Sequence, residues 1–126
     1  MSVYGIDHVQ LAIPPGTEHR ARAFYVDVLG LTEVPKPEHL RSRGGVWFEA
    51  EGLRLHLGVD EDFVPARKAH PALLVRRLNE LISRCEAKGC PVHRGTPLEG
   101  FERVYIFDPL GNRIELLEPH ANDVGI

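Results

Sequence analysis

Two stretches of the chain carry apolar residues at helical spacing. Ala21, Phe24, Tyr25 and Val28 fall at i, i+3, i+4 and i+7. They form the stripe of a helix entered through Pro14-Pro15-Gly16-Thr17, with Thr17 as N-cap and Gly30 as the stop. Leu78, Leu81, Ile82 and Cys85 repeat the pattern and Gly89 ends it, but no residue of capping type precedes it. Around both helices the period switches to two, the mark of strands. Ile6 to Ile13 sets Val9, Leu11 and Ile13 against His8, Gln10 and Ala12. Further strands are expected near 31–35, 45–50 and 53–59, the last alternating Leu53, Leu55 and Leu57 with Arg54, His56 and Gly58. The second half runs in the same order: a strand near 70–75, the helix, then strands near 90–94, 102–107 and 112–118.

The order repeats, and so does the spacing. Gly30 to Gly52 is 22 residues, as is Gly89 to Gly111; Gly52 to His56 and Gly111 to Glu115 are both four. Each half reads as a βαβββ unit, so the expected fold class is α+β: one domain of two tandem modules, about 5–60 and 69–118. The aperiodic segment 60–69, with Pro65, is the expected linker. A duplication of this kind predicts a curved mixed sheet built about a pseudo-twofold axis, with a functional site near that axis.

Parity along each strand assigns faces, because successive side chains point opposite ways. With the apolar set turned to the helices, His8 and Gln10 fall on the other face of the first strand, and His56 falls there with Arg54. In the second module His70 opposes Leu73 and Val75, and Glu115 opposes Ile114 and Leu116. Arg103 and Tyr105, out of phase with Val104 and Ile106, join that face. A sheet face lined by His8, His56, His70 and Glu115 is a metal constellation. Imidazole with carboxylate suits iron, manganese, nickel, cobalt or zinc, and two His plus one carboxylate with open positions is a ferrous pattern. A single histidine or glutamate on a strand is weak evidence; four at repeat-equivalent positions with matching parity are stronger. His19, His39, His93 and His120 show no such relation and are expected at the surface.

Composition narrows the class of partner. Hydrophobic residues make up 43% and charged residues 26% of the 126 residues, ordinary globular proportions. A net charge of −3 and a pI near 6.1 leave no basic stripe for nucleic acid. The first residues lack the basic and apolar regions of a signal peptide, and no apolar run approaches the roughly 20 residues of a membrane span. Cys85 and Cys90 are therefore expected as reduced structural thiols. The expectation is a cytoplasmic protein that acts on a small molecule.

The motifs carry a resemblance. Asp7-His8-Val9-Gln10-Leu11-Ala12-Ile13 resembles the opening strand of the vicinal oxygen chelate superfamily. Ala23-Phe24-Tyr25 through Leu29-Gly30-Leu31 is similar to the first helix of that family and its exit, and His70-Pro71-Ala72-Leu73-Leu74-Val75 to the strand that opens the second module. Asp108-Pro109-Leu110-Gly111-Asn112-Arg113-Ile114-Glu115 is close to the family's "DPxGNxxE" hairpin, the most specific of these motifs. The superfamily includes glyoxalase I, extradiol dioxygenases, thiol transferases that inactivate fosfomycin, methylmalonyl-CoA epimerase and bleomycin-binding resistance proteins. The resemblance implies a paired βαβββ fold, a divalent metal and a homodimer, with His8, His70 and Glu115 matching the shared ligands. His56 stands where glyoxalase I-like members usually carry Glu, a departure that counts against glyoxalase activity. The bleomycin-binding members generally lack the ligands altogether.

Two functions from different classes follow. One is a metal-dependent enzyme, a lyase, isomerase, dioxygenase or thiol transferase, that chelates adjacent oxygens of a small substrate. In it Glu115, His56 and Tyr105 are the candidate catalytic residues, with His56 either a fourth ligand or a general base. Arg103 would orient substrate, Gln10 would donate a hydrogen bond behind the ligands, and Trp47 and Phe48 would wall the pocket, core packing being the competing role for at least one of them. The other is a small-molecule-binding or antibiotic-resistance protein of the same fold without catalysis.

Overall fold

The computed structural model describes residues 2–121. The chain divides after Val64 into two compact units. In the first, strand β1 (Val9–Ile13) leads to helix α1 (Glu18–Tyr25), followed by β2 (Thr32–Val34), a 3-10 helix over Glu38–Arg43, and the hairpin of β3 (Val46–Ala50) and β4 (Leu53–Val59). Its sheet has the order β1-β4-β3-β2, with β1 parallel to β4 and the other pairs antiparallel. The second unit runs β5 (Ala72–Leu74), α2 (Leu78–Ala87), β6 (Val92–Arg94), β7 (Phe101–Phe107) and β8 (Arg113–Pro119). Its order is β5-β8-β7-β6, with β5 parallel to β8. The two topologies are the same, so the repeat in the sequence is a repeat in the fold: α+β, two tandem βαβββ modules.

Each unit closes a core between its helix and one face of its sheet, as the alternation requires. Ala21, Phe24 and Tyr25 of α1 are buried with Ile13, Val46, Phe48, Leu55 and Leu57, and the Tyr25 and Phe48 rings stack with centroids 5.3 Å apart. Leu78, Leu81, Ile82 and Cys85 of α2 are buried with Val104, Ile106, Ile114 and Leu116. The β1 and β5 strands are shorter than the alternation suggests, and His8 and His70 lie just before them. At β5 the reason is Pro71, which has no N–H for a ladder; its carbonyl still accepts from Glu115 N at 3.0 Å.

The helix entries differ from the sequence expectation. Thr17 occupies the N-cap of α1, yet its hydroxyl donates back to the Pro14 carbonyl at 2.7 Å and caps nothing. For α2 the cap comes from the far end of the unit. Arg77 adopts a left-handed conformation (φ 56°). The N–H groups of Arg77 and Leu78 donate to the Glu118 carboxylate on β8 at 2.8 and 3.0 Å. A carboxylate at a helix N-terminus satisfies orphan donors and meets the positive end of the helix dipole.

The hairpin between β7 and β8 is locked by one side chain. Asp108 is buried, and its Oδ1 accepts from Leu110 N and Asn112 N, both at 2.9 Å. Its Oδ2 accepts from Asn112 Nδ2 at 2.9 Å, and Gly111 turns the chain at φ 102°. The Asp-Pro-Leu-Gly-Asn run is thus a turn device that fixes the register of β8.

Candidate functional site

In the first unit the sheet face away from α1 carries a stack of three rings. Trp47 on β3 lies directly across from His56 on β4, with centroids 3.8 Å apart and planes within 3°. His8 stacks on His56 at 4.3 Å. Gln10 pairs with His56 in the β1–β4 register and occupies the same face, its amide lying over Gly58. Burial and the neighbouring His8 push the His56 imidazole below its usual range, which favours the neutral ring and its free lone pair. Asp7 accepts from His8 Nδ1 at 2.9 Å and pairs with Arg54 Nη1 at 2.9 Å; those two partners hold its carboxyl below the usual range.

Phe48 does not join this face. Its ring is 0% exposed and belongs to the core against Tyr25. Neighbours on a strand point oppositely, so Trp47 and Phe48 cannot both wall one pocket. A cavity of about 630 Å³ lies elsewhere in the unit, between residues 2–7 and the β3–β4 turn, and its lining includes neither His8 nor His56.

In the second unit the equivalent face assembles around Glu115. This carboxylate is buried, with Oε1 2.8 Å from His70 Nε2 and Oε2 3.4 Å from Arg103 Nη1. Tyr105 lies across from it in the β7–β8 register, the position that Trp47 holds across from His56 in the first unit. The Tyr105 ring is edge-on to His70 at 5.5 Å. The Arg103 and Arg113 guanidinium carbons stand 5.3 and 4.1 Å from the Tyr105 centroid, within cation–π range. His93, expected as an unrelated surface group, is exposed but pairs with Tyr105 in the β6–β7 ladder and so shares this face, edge-on to Phe107 at 5.6 Å. Continuing the period of two through β6 would have placed it there.

The donor chemistry suits a divalent cation. His8 Nδ1 meets a carboxylate oxygen and His70 Nδ1 meets the Lys68 carbonyl at 2.8 Å, both acceptors only. Each ring therefore carries its proton on Nδ1 and offers Nε2, the arrangement that outer partners give a metal-binding imidazole. At His70 that Nε2 faces a carboxylate oxygen. Such a contact closes with a proton shared between ring and carboxyl or with a cation shared by the two donors. His8 with His56, and His70 with Glu115, form two donor pairs at equivalent places of the repeat. Among the described residues, no group of three or more His, Cys, Asp or Glu side chains stands together closely enough to hold a metal ion. No helix among them is long and apolar enough to cross a membrane.

The comparisons with known proteins agree with this fold. The family model of the Glyoxalase/Bleomycin resistance protein/Dioxygenase superfamily matches residues 5–116. A glyoxalase family protein from Bacillus anthracis has a similar solved structure, with 42% identity, a TM-score of 0.91, and coverage of 95% of this chain and 98% of that one. A lactoylglutathione lyase from Agrobacterium tumefaciens is 25% identical over the full length of both chains, with a TM-score of 0.72. The fosfomycin resistance protein FosX from Listeria monocytogenes shares the fold at 17% identity, with a TM-score of 0.74 and coverage of 95% and 97%. No curated protein matches significantly.

Proposed function

Because the chain belongs to the glyoxalase/bleomycin resistance protein/dioxygenase superfamily, we propose that it is a metal-dependent enzyme acting on a small oxygenated molecule held through two adjacent oxygens. His8, His70 and Glu115 are the proposed ligands, and His56 is a fourth donor or the general base. The observation that carries this reading is the matched pair of histidines, each with Nδ1 occupied by an acceptor, His8 stacked on His56 and His70 with its Nε2 2.8 Å from Glu115. A divalent ion bound there would polarise the substrate oxygens and stabilise negative charge as it develops.

The remaining work falls to the chain's own residues. His56, kept neutral by burial, is able to take a proton from substrate. The Tyr105 phenol is able to donate to a substrate oxygen on the same face as Glu115, and Arg103 orients an electron-rich group beside it. Gln10 steadies the His56 side of the face, and Trp47 restricts His56 to one ring orientation by stacking. An imidazole at position 56 is a stronger base than a carboxylate but brings no negative charge to a bound cation, and this departure from the usual glutamate favours a reaction other than the glyoxalase isomerisation. The protein is proposed to work as a homodimer in the cytoplasm.

Metal analysis of the purified protein tests the proposal. About one divalent ion per chain is expected, and His70→Ala or Glu115→Ala should lower its affinity by about 100-fold or more, with His56→Ala having a smaller effect. Absence of stoichiometric metal, unchanged by His70→Ala, would replace the enzyme with a binding or resistance protein of the same fold. Once metal is established, dependence of turnover on dissolved oxygen separates a dioxygenase from the non-redox reactions.

A further inference from the structure

Outside the two donor pairs, the second unit carries positive charge that its described residues neutralise only in part. Arg94, Arg103 and Arg113, with His93 and Tyr105, line a cavity of about 510 Å³ on the Glu115 face. Arg103 is 19% exposed. Its one carboxylate partner among the described residues is Glu115, at a long 3.4 Å, and Glu115 also engages His70 at 2.8 Å. The Arg103 Nε is fully buried and has no hydrogen-bond partner among the described residues. Arg113 has no carboxylate partner among them; its Nη1 reaches only the Arg67 carbonyl at 3.5 Å. Both guanidiniums instead lean on the Tyr105 ring, which they flank along the sheet: Arg103 precedes it by two residues on β7 and Arg113 pairs with Phe107, two residues beyond it. Gly95 packs closely against both Tyr105 and Arg103. A Cβ there would lie 2.6 Å from Tyr105 Cε2 and 3.2 Å from Arg103 Nε.

We infer that this cavity is an anion subsite, in which Arg103 and Arg113 receive an oxyanion carried by the substrate. Guanidinium forks match planar carboxylates and tetrahedral phosphoryl or phosphonyl groups, and two arginines that lack a close carboxylate partner are left to complete their bonding with such a group. The inference rests on the proposed function for the identity of the bound molecule as substrate, but the subsite itself requires no metal. Arg103 and Arg113 are thus specificity-determining residues, and the reacting molecule is anionic rather than neutral.

The test follows the arginine Nε–H resonances by NMR while inorganic phosphate, or in a parallel series acetate, is added at constant ionic strength. Saturable shifts at Arg103 and Arg113 are expected, with the tighter series naming the oxyanion class. Arg113→Met should weaken the apparent affinity by about 10-fold or more, and Gly95→Ala should also weaken it by crowding Arg103. Arg43→Gln, on the 3-10 helix of the first unit, should leave it unchanged. Shifts that do not saturate, that appear equally at Arg43, or that survive Arg113→Met unchanged overturn the subsite. If Arg103→Met does not fold, Arg113→Met carries the same decision. Metal content separates this inference from the reading beneath it: loss of anion binding with metal retained is expected for Arg113→Met, whereas intact anion binding in a protein that never binds metal overturns only the enzyme.

Discussion

Gly45 shows how little room some positions leave. It sits at φ 85°, and a Cβ there would lie 2.2 Å from the Leu57 carbonyl oxygen, so Gly45→Ala should lose on the order of 3 kcal/mol in urea denaturation. The Gly45 N–H donates to Glu18 Oε2 at 2.8 Å, and this bond holds the Glu18 carboxyl below its usual range. A depressed folded value means stability that is complete above the ordinary glutamate range and lost as pH falls through the folded value. Glu18→Ala should therefore cost about 1 kcal/mol at neutral pH and flatten the acid limb of the stability profile. Burial, and secondarily Cys90, push the Cys85 thiol up to about 11. A thiol reagent at pH 8 should modify the half-buried Cys90 and spare Cys85 until the protein is unfolded. At this scale the sequence is legible wherever parity decides. His8, His56, His70 and Glu115 each lie on the face assigned to them, and of the Trp47–Phe48 pair it is Phe48 that takes the competing core role, because neighbours on a strand point oppositely. The Asp7 and Lys68 contacts that orient the two histidines left no periodic signal, because short polar contacts beside a strand do not depend on its alternation.

Elements were legible where their signals are local. The stripes of α1 and α2 and the alternation of β4 predict what forms, since burial of one face decides it. Capping was less legible. Thr17 has the right chemistry at the right place but spends its hydroxyl on Pro14, whereas α2 is capped by Glu118, which lies 40 residues further along the chain. Glu118→Ala should cost about 1–2 kcal/mol, and hydrogen exchange should speed first at the entry of α2 rather than along β8. The Asp108 turn is equally informative. The run that best marks the family is a register lock, and Glu115 owes its face to it, because a slip of one residue would turn Ile114 or Leu116 away from the helix and drive the carboxylate into the apolar core.

At the scale of the molecule, the duplicated spacing of glycines conveyed the topology of both units, because a turn of fixed length between strands leaves few alternatives. The loops 36–44 and 94–102 were not readable. One folds into a 3-10 helix that buries none of its residues, and the other forms a short bridge from Leu98 to Phe101, so neither carries an apolar period to read. The parallel pairing within each unit has a further consequence for the order of folding. Val9 pairs with Leu55 and Leu73 with Leu116, while β3–β4 and β7–β8 are hairpins of neighbouring strands. Closing the long loop is entropically the costly step, so the hairpins form early and β1 and β5 join late. His56 and Glu115 ride on the early hairpins, His8 and His70 on the segments that open the late strands. Neither donor pair exists until its unit has closed, so a newly made chain does not bring these side chains together before it has a core. Substitutions in β1 should then act mainly on the unfolding rate, and those in β4 on the rate of folding.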